Sequence, residues 1–296
     1  MRITLLNILD YISNIKWNFK FYYKLIFNYS FRNLMDSNKK FHNLHKSKRC
    51  FIIGNGPSIK GMNLELLKNE IVFSVNNIMN NKEVYNAIRS DYHILIDPLY
   101  AKLDISLQED LDQIKLLEEI NYLDKKPILI TDYESFDSFD LYGLNKILNI
   151  HYLYQHNNIL DSYHSVKRMS RNFPSSQNVI QCAMFSAIDM GFEKIFLIGC
   201  DMTSFLSAYE FNADGERMIL ENNHIYKYSE SDLKMIIKDS NKYDNEFILD
   251  EYSRNFRIFK KINKYANKNN ISIYNAGIGG GLDVFTRVNY ESIFDF

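Results

Sequence analysis

A mostly parallel, doubly wound α/β sheet with helices on both faces, preceded by a basic helical arm, is the fold the sequence predicts. Three observations carry it. Short apolar runs alternate with helix-length segments, the pattern of strands buried on both faces and joined by crossovers. The runs stop at Asn or Asp, beside glycine in several cases, where the chain must turn. The first 49 residues hold ten Lys or Arg against only Asp10 and Asp36. That is a surplus of about eight in a chain of formal net charge −1, so the remainder carries about −9.

At 296 residues, with 46% hydrophobic and 24% charged residues, the chain can bury a full globular core. Cys50, Cys182 and Cys200 lie in or beside apolar runs and form neither a zinc spacing nor an even framework. Buried free thiols of a reducing compartment are expected. No run of 18 apolar residues predicts a transmembrane helix, and no cleaved signal is expected.

Two units are expected, residues 1–47 as the arm and 48–296 as the α/β domain. In residues 1–35, Leu5, Ile8, Leu9, Ile12 and Ile15 recur at helical spacing among aromatics and lysines. Two readings stand side by side: an amphipathic segment on an anionic membrane surface, or a helical hairpin packed on the body. Residues 41–48, with His42 and His45, read as a solvated connector that lacks a third metal ligand.

Strands are expected at 50–53, 71–75, 92–96, 127–131, 194–199 and 271–275, and helices at 102–119, 176–190 and 250–269. Residues 132–170 are the least regular and read as an insertion or lid. Residues 205–223 read as loop-rich. The first strand ends in Gly54-Asn55-Gly56-Pro57-Ser58, a tight turn of the kind that offers backbone N–H groups to a phosphate. An ordinary βα turn, with glycines for positive φ and Pro57 fixing φ, explains the same residues. Asn55, Asn76, Asp97, Asp201 and Asn275 stand at five predicted strand ends. Open α/β sheets bind ligands beyond the C-terminal ends of their strands, so a polar crevice is expected there. An amide, both donor and acceptor, suits a base or a ribose.

Taken together, 53–58, Val72-Phe73-Ser74-Val75-Asn76-Asn77, Asp97-Pro98 and 191–201 resemble the family-42 sialyltransferases of bacterial surface glycans and the motility-accessory-factor glycosyltransferases. The same core is similar to the archaeal 6-hydroxymethylpterin diphosphokinases. The resemblance covers roughly residues 48–290 by order of motifs. It implies a GT-A-like, Rossmann-type domain binding a nucleotide-activated, CMP-linked sugar such as a nonulosonic acid, with no further cofactor required.

By resemblance, Asn55 and Asn76 hold the nucleotide, with Gly56 and Ser58 in the same turn and Ser176 and Asn178 before the late helix. Tyr209 matches the second of two tyrosines that bind the leaving phosphate; Thr203 stands at the first. His224 matches the first histidine of an H-Y-x-x-H segment that supplies the general base, and Tyr228 stands at the second. Asp97 replaces a family Asn and could take a sugar hydroxyl or a divalent metal. Asp201 is a further catalytic candidate, or simply turns the strand end. The glycine tail, Gly280 included, resembles the wider family's, and Arg287 could offset phosphate charge.

The expected reaction transfers a sugar to a surface glycan or lipid-linked acceptor, His224 taking the acceptor proton and Tyr209 and Arg287 meeting the phosphate. The expected partners are a nucleotide-sugar donor, a glycan or glycolipid acceptor, peripheral membrane contact through residues 1–35 and a second copy in a homo-oligomer, with no nucleic acid. The expected location is cytoplasmic, at the inner face of the cytoplasmic membrane. Two alternatives stay open. One is an ATP- and magnesium-dependent pterin diphosphokinase using Asp97 and Asp201, and the other a non-catalytic nucleotide-binding subunit.

Overall fold

The apolar run after Lys48 is buried on both faces because it forms the middle of the sheet. In a computed structural model describing residues 5–157, 168–203 and 244–295, it is β1 (Arg49–Ile53), flanked on one side by β2 (Val72–Val75). Then come β3 (Tyr92–Leu95), β4 (Ile128–Asp132), β5 (Ile150–Asn157) and β6 (Asn172–Pro174). On the other side lie β7 (Lys194–Ile198), β8 (Ser272–Asn275) and β9 (Thr286–Arg287). The order is β6-β5-β4-β3-β2-β1-β7-β8-β9, with every neighbouring pair parallel. The strand order therefore reverses between β1 and β7, where ligands of such sheets gather.

Side-chain alternation assigns the two faces. Phe51, Ile53, Phe196 and Ile198 join the core under α1 (Leu5–Phe27), α2 (Tyr29–Ser37), α3 (Lys82–Ile88) and α4 (Gln108–Glu119). The short helices α5 (Phe136–Leu141) and α6 (Leu144–Ile147) complete that layer. Cys50, Ile52, Phe73 and Leu197 face α7 (Val179–Asp189) and α8 (Asn245–Lys268). Almost all of α7 is buried, since it crosses the middle of the sheet and is itself covered by α8. All three cysteines are buried and free, as expected.

The arm is a hairpin packed on the body. Trp17 of α1 stacks on His156 with ring centroids 4.0 Å apart, and Phe21 packs among Phe31 and Tyr154. Asn38, just after α2, donates to the carbonyls of Tyr152 and Met169. The segment expected as a solvated connector is anchored too. Phe41 is fully buried, His42 Nδ1 lies 2.7 Å from the Asp189 carboxylate, and His45 Nε2 lies 2.6 Å from the Tyr92 hydroxyl. Its polar side chains find partners on α7 and β3, which composition alone does not reveal.

Two further expectations change. The helix expected at 102–119 begins at Gln108, because Asp97 caps a 3-10 turn at Pro98–Lys102 and Asp104 turns the chain by accepting the Ser106 N–H. The irregular stretch 132–170 contains α5, α6 and an eight-residue strand, β5. The loop expected at 205–223 lies outside the described residues.

Candidate functional site

The turn after β1 is fastened to the end of β7. Gly54 N–H donates to the Ile198 carbonyl and Gly56 N–H to that of Gly199, both at 2.8 Å. Ser58 gives its N–H to Asp201 Oδ2 at 2.9 Å and its hydroxyl to Oδ1. These N–H groups, expected to meet a phosphate, are thus already engaged. The glycines serve close approach rather than positive φ: a Cβ on Gly56 would lie 2.5 Å from the Asp201 carboxyl carbon and 2.6 Å from the Gly199 carbonyl oxygen. Left-handed backbone occurs instead at Asn76 (φ 41°), Gly199 (φ 63°) and Met202 (φ 51°).

A cavity of about 280 Å³ opens beyond β1, β2 and β7, at the point where the strand order reverses. Asn55, Gly56, Asn76, Asn178, Asp201 and Thr203 line it. The Oδ1 atoms of Asn55 and Asn76 are buried and have no hydrogen-bond partner among the described residues. The floor is the N-terminus of α7. Asn178 caps it by accepting the Ile180 N–H at 2.8 Å, and the helix end favours negative charge. Cys200 lies under the turn, its thiol pushed up by complete burial.

A second, smaller cavity of about 140 Å³ continues along the same sheet edge, beyond β3, β4 and β5. Asp97, Asp132, Glu134, Gln155 and Ser176 line it. Asp132 accepts the Glu134 N–H at 2.8 Å and a Gln155 amide N–H at 3.3 Å. Ser176 donates to the Gln155 amide oxygen at 2.9 Å. Desolvation raises the Asp132 carboxyl to about 6, against the Glu134 N–H and with help from the Glu134 charge. Asp97 is also raised by desolvation, partly offset by the Leu99 N–H. Ser176 and Asn178 lie two residues apart, so one short segment borders both cavities.

Six of the sequence-selected residues, Asn55, Gly56, Asn76, Asn178, Asp201 and the departure Thr203, come together in the first cavity, and Asp97 and Ser176 in the second. Ser58, Gly280 and Arg287 do not line either. Ser58 braces Asp201 from behind; Gly280, at φ 79°, packs against Asp201 where a Cβ would lie 2.8 Å from its Cα. The Arg287 guanidinium donates to the carbonyls of Gly277, Gly279 and Gly280, clamping the glycine tail. Asn275, the fifth strand-end residue, is closed off by Leu282 O and Gly277 N–H. Tyr209 and His224 lie outside the described residues. Asp97 and Asp201 line different cavities. Among the described residues no cluster of three His, Cys, Asp or Glu is placed to hold a metal ion.

Asp132 and Gln155 were missed from the sequence. Asp132 follows an apolar run as Asn55 and Asp97 do, so the strand-end rule could have found it; Gln155 needed β5. A larger cavity of about 420 Å³, lined by Tyr85, Arg89, Ser90 and Lys125, lies at the opposite edge, before β3 and β4. Ligands of open α/β sheets bind at the C-terminal edge, and the cavity between β1, β2 and β7 is the functional candidate.

Comparison with known proteins adds four findings. The sialyltransferase CstII from Campylobacter jejuni, solved with cytidine-5'-monophosphate, aligns with 16% identity and a TM-score of 0.44, over 82% of this chain and 85% of that one. The monofunctional α-2,3-sialyltransferase Cst-I from the same organism aligns with 16% identity and a TM-score of 0.43, over 82% of each chain. No curated protein matches the sequence. A family model described as 6-hydroxymethylpterin diphosphokinase MptE-like matches residues 24–204, from within α1 past the end of β7 and so across more than half of the chain. The protein belongs to the MptE-like family.

Proposed function

We propose that the protein is a glycosyltransferase that holds a nucleotide-activated sugar in the cavity between β1, β2 and β7. The observation that carries this is that Asn55 and Asn76, each with a buried amide oxygen that has no hydrogen-bond partner among the described residues, both line the cavity at the switch point. An unsatisfied buried acceptor costs about 1–3 kcal/mol. The N–H and O–H groups of a base and a ribose are the donors that would recover it. The donor's phosphate then meets the N-terminus of α7. The resemblance of residues 53–58, 72–77 and 191–201 to the sialyltransferases makes CMP the expected nucleotide and a nonulosonic acid the expected sugar.

The adjoining cavity beyond β3, β4 and β5 gives the acceptor its place. In the transfer the acceptor oxygen bonds to the anomeric carbon, the bond from that carbon to the phosphate oxygen breaks, and the nucleotide leaves with the electron pair. The acceptor proton needs a base. Asp132 borders this space, and burial lifts its carboxyl to about 6, into the range that suits a general base. His224 is the base that the motif resemblance implies, and each is tested by its own substitution. A glycan or glycolipid of the bacterial surface is the acceptor class.

A second reading rests on the family match itself: diphosphate transfer from ATP to a hydroxymethylpterin. Its metal donors would be Asp97 and Asp201. Asp201, however, gives both oxygens to Ser58, and Asp97 lies in the other cavity. Incubation with CMP-, UDP- and GDP-activated sugars, and separately with ATP, magnesium and 6-hydroxymethylpterin, separates the readings. Nucleotide release from a CMP-sugar supports transfer. AMP formation with the pterin overturns it in favour of the kinase.

A further inference from the structure

We infer that the outward face of α1 docks on an anionic lipid surface, with the helix lying in the plane of that surface. The helix has two different apolar faces. The inner one is committed to the body: Trp17 on His156, Phe21 against Tyr154, and Asn18 bonded to Asn172 at 2.9 Å. The outer one carries Ile8, Ile12, Ile15, Phe19, Tyr23 and Ile26, spaced four, three, four, four and three residues apart. That spacing keeps all six on one stripe, opposite the packed face. They are between 45% and 72% exposed. Soluble monomers seldom leave so long a contiguous apolar stripe in water.

The 23 residues of α1 span roughly 35 Å, and no described helix is long and apolar enough to cross a membrane. The stripe therefore fits an interface. Charge selects the occupant. Lys16 and Lys20 lie along one side of the stripe, their ammonium groups over the Trp17 ring, and residues 1–49 hold ten basic residues against two acidic ones, while the rest of the chain is acidic. Such an arm is drawn to anionic headgroups and the body is held away from them, which also sets the orientation. A second copy would bring an equally basic arm against this one. The inference is independent of the reaction that the cavities catalyse.

Flotation of the full chain with vesicles tests it, using phosphatidylcholine alone and with about one-third phosphatidylglycerol. The protein should float with the anionic vesicles only, and less as salt rises. A triple variant, Ile12→Asn, Phe19→Asn and Tyr23→Asn, should bind at least tenfold more weakly. Trp17, the single tryptophan, reports whether the arm stays packed; its emission should not change. If the triple variant loosens the arm, Phe19→Trp serves instead, and its added emission should shift to the blue on mixing with anionic vesicles. Failure of the wild type to float, equal binding by the triple variant, or an unshifted Phe19→Trp emission overturns the inference. So does a concentration-dependent dimer that the triple variant abolishes, which would make the stripe an interface between copies.

Discussion

Asn55 and Asn76 lie just past the ends of the adjacent parallel strands β1 and β2, line the same cavity, and each holds a buried amide oxygen with no partner among the described residues. Asn76 has a left-handed backbone at φ 41°, a conformation that Asn adopts more readily than most residues. The neighbouring carboxylate, Asp132, is a different kind of residue. The protein around it raises its proton affinity, so between its unfolded value near 4 and its folded value of about 6 the native state binds the extra proton. As a base it should gain activity as pH rises through about 6. Asp132→Asn should lower turnover at least tenfold and remove that limb of the pH profile, while CMP affinity by calorimetry stays within twofold. An unchanged profile assigns the proton elsewhere, and His224→Ala is then the variant to compare.

Elements bring these residues together, and the loops that join them are tight. The turn after β1 works only because Gly56 lets Asp201 approach, and Asp201 in turn fixes Ser58. Gly56→Ala should cost about 1–3 kcal/mol of stability, the range for forcing extra volume into a packed site. It should also weaken nucleotide binding, because Asn55 is the next residue; thermal unfolding and calorimetry measure the two effects. Strands of continuous apolar sequence were legible from the sequence to within a residue or two: β1, β2, β3, β4, β7 and β8. The strand β5 was not, because His151, Tyr152 and Gln155 read as polar or amphipathic loop residues. Their polar groups are satisfied by Asn38, Asn145 and Ser176, partners that only the fold supplies. The same reason hid half of the second cavity. At the strand ends Asn55, Asn76 and Asp201 line the first cavity and Asp97 the second. Asn275 lines neither, because the glycine tail covers it.

For the whole molecule, the sheet is a continuous parallel edge whose switch point holds one cavity and whose next three strands hold another. The buried layer beneath them carries a titratable group. His93 is fully buried beside Ser74, with Nδ1 2.7 Å from the hydroxyl, and desolvation pushes its imidazole down to about 3. The unfolded chain binds this proton near pH 6.5 and the native state does not, so His93 makes stability rise with pH between about 3 and 6.5 and fall on acidification. Over the range from pH 6.5 to 4 the effect amounts to up to about 3 kcal/mol. His93→Gln should flatten that acid limb in denaturant unfolding followed across pH; a limb of unchanged slope would assign the acid sensitivity to other groups.

The transferase reading requires that a nucleotide occupy the switch-point cavity and be held there by Asn55. Isothermal titration of CMP into the wild type and into Asn55→Ala tests it most directly. The expected result is saturable one-to-one binding by the wild type and a loss of at least tenfold in the variant, with the folded state intact by thermal unfolding. Absence of CMP binding by the wild type, or equal affinity in the two proteins, would contradict it.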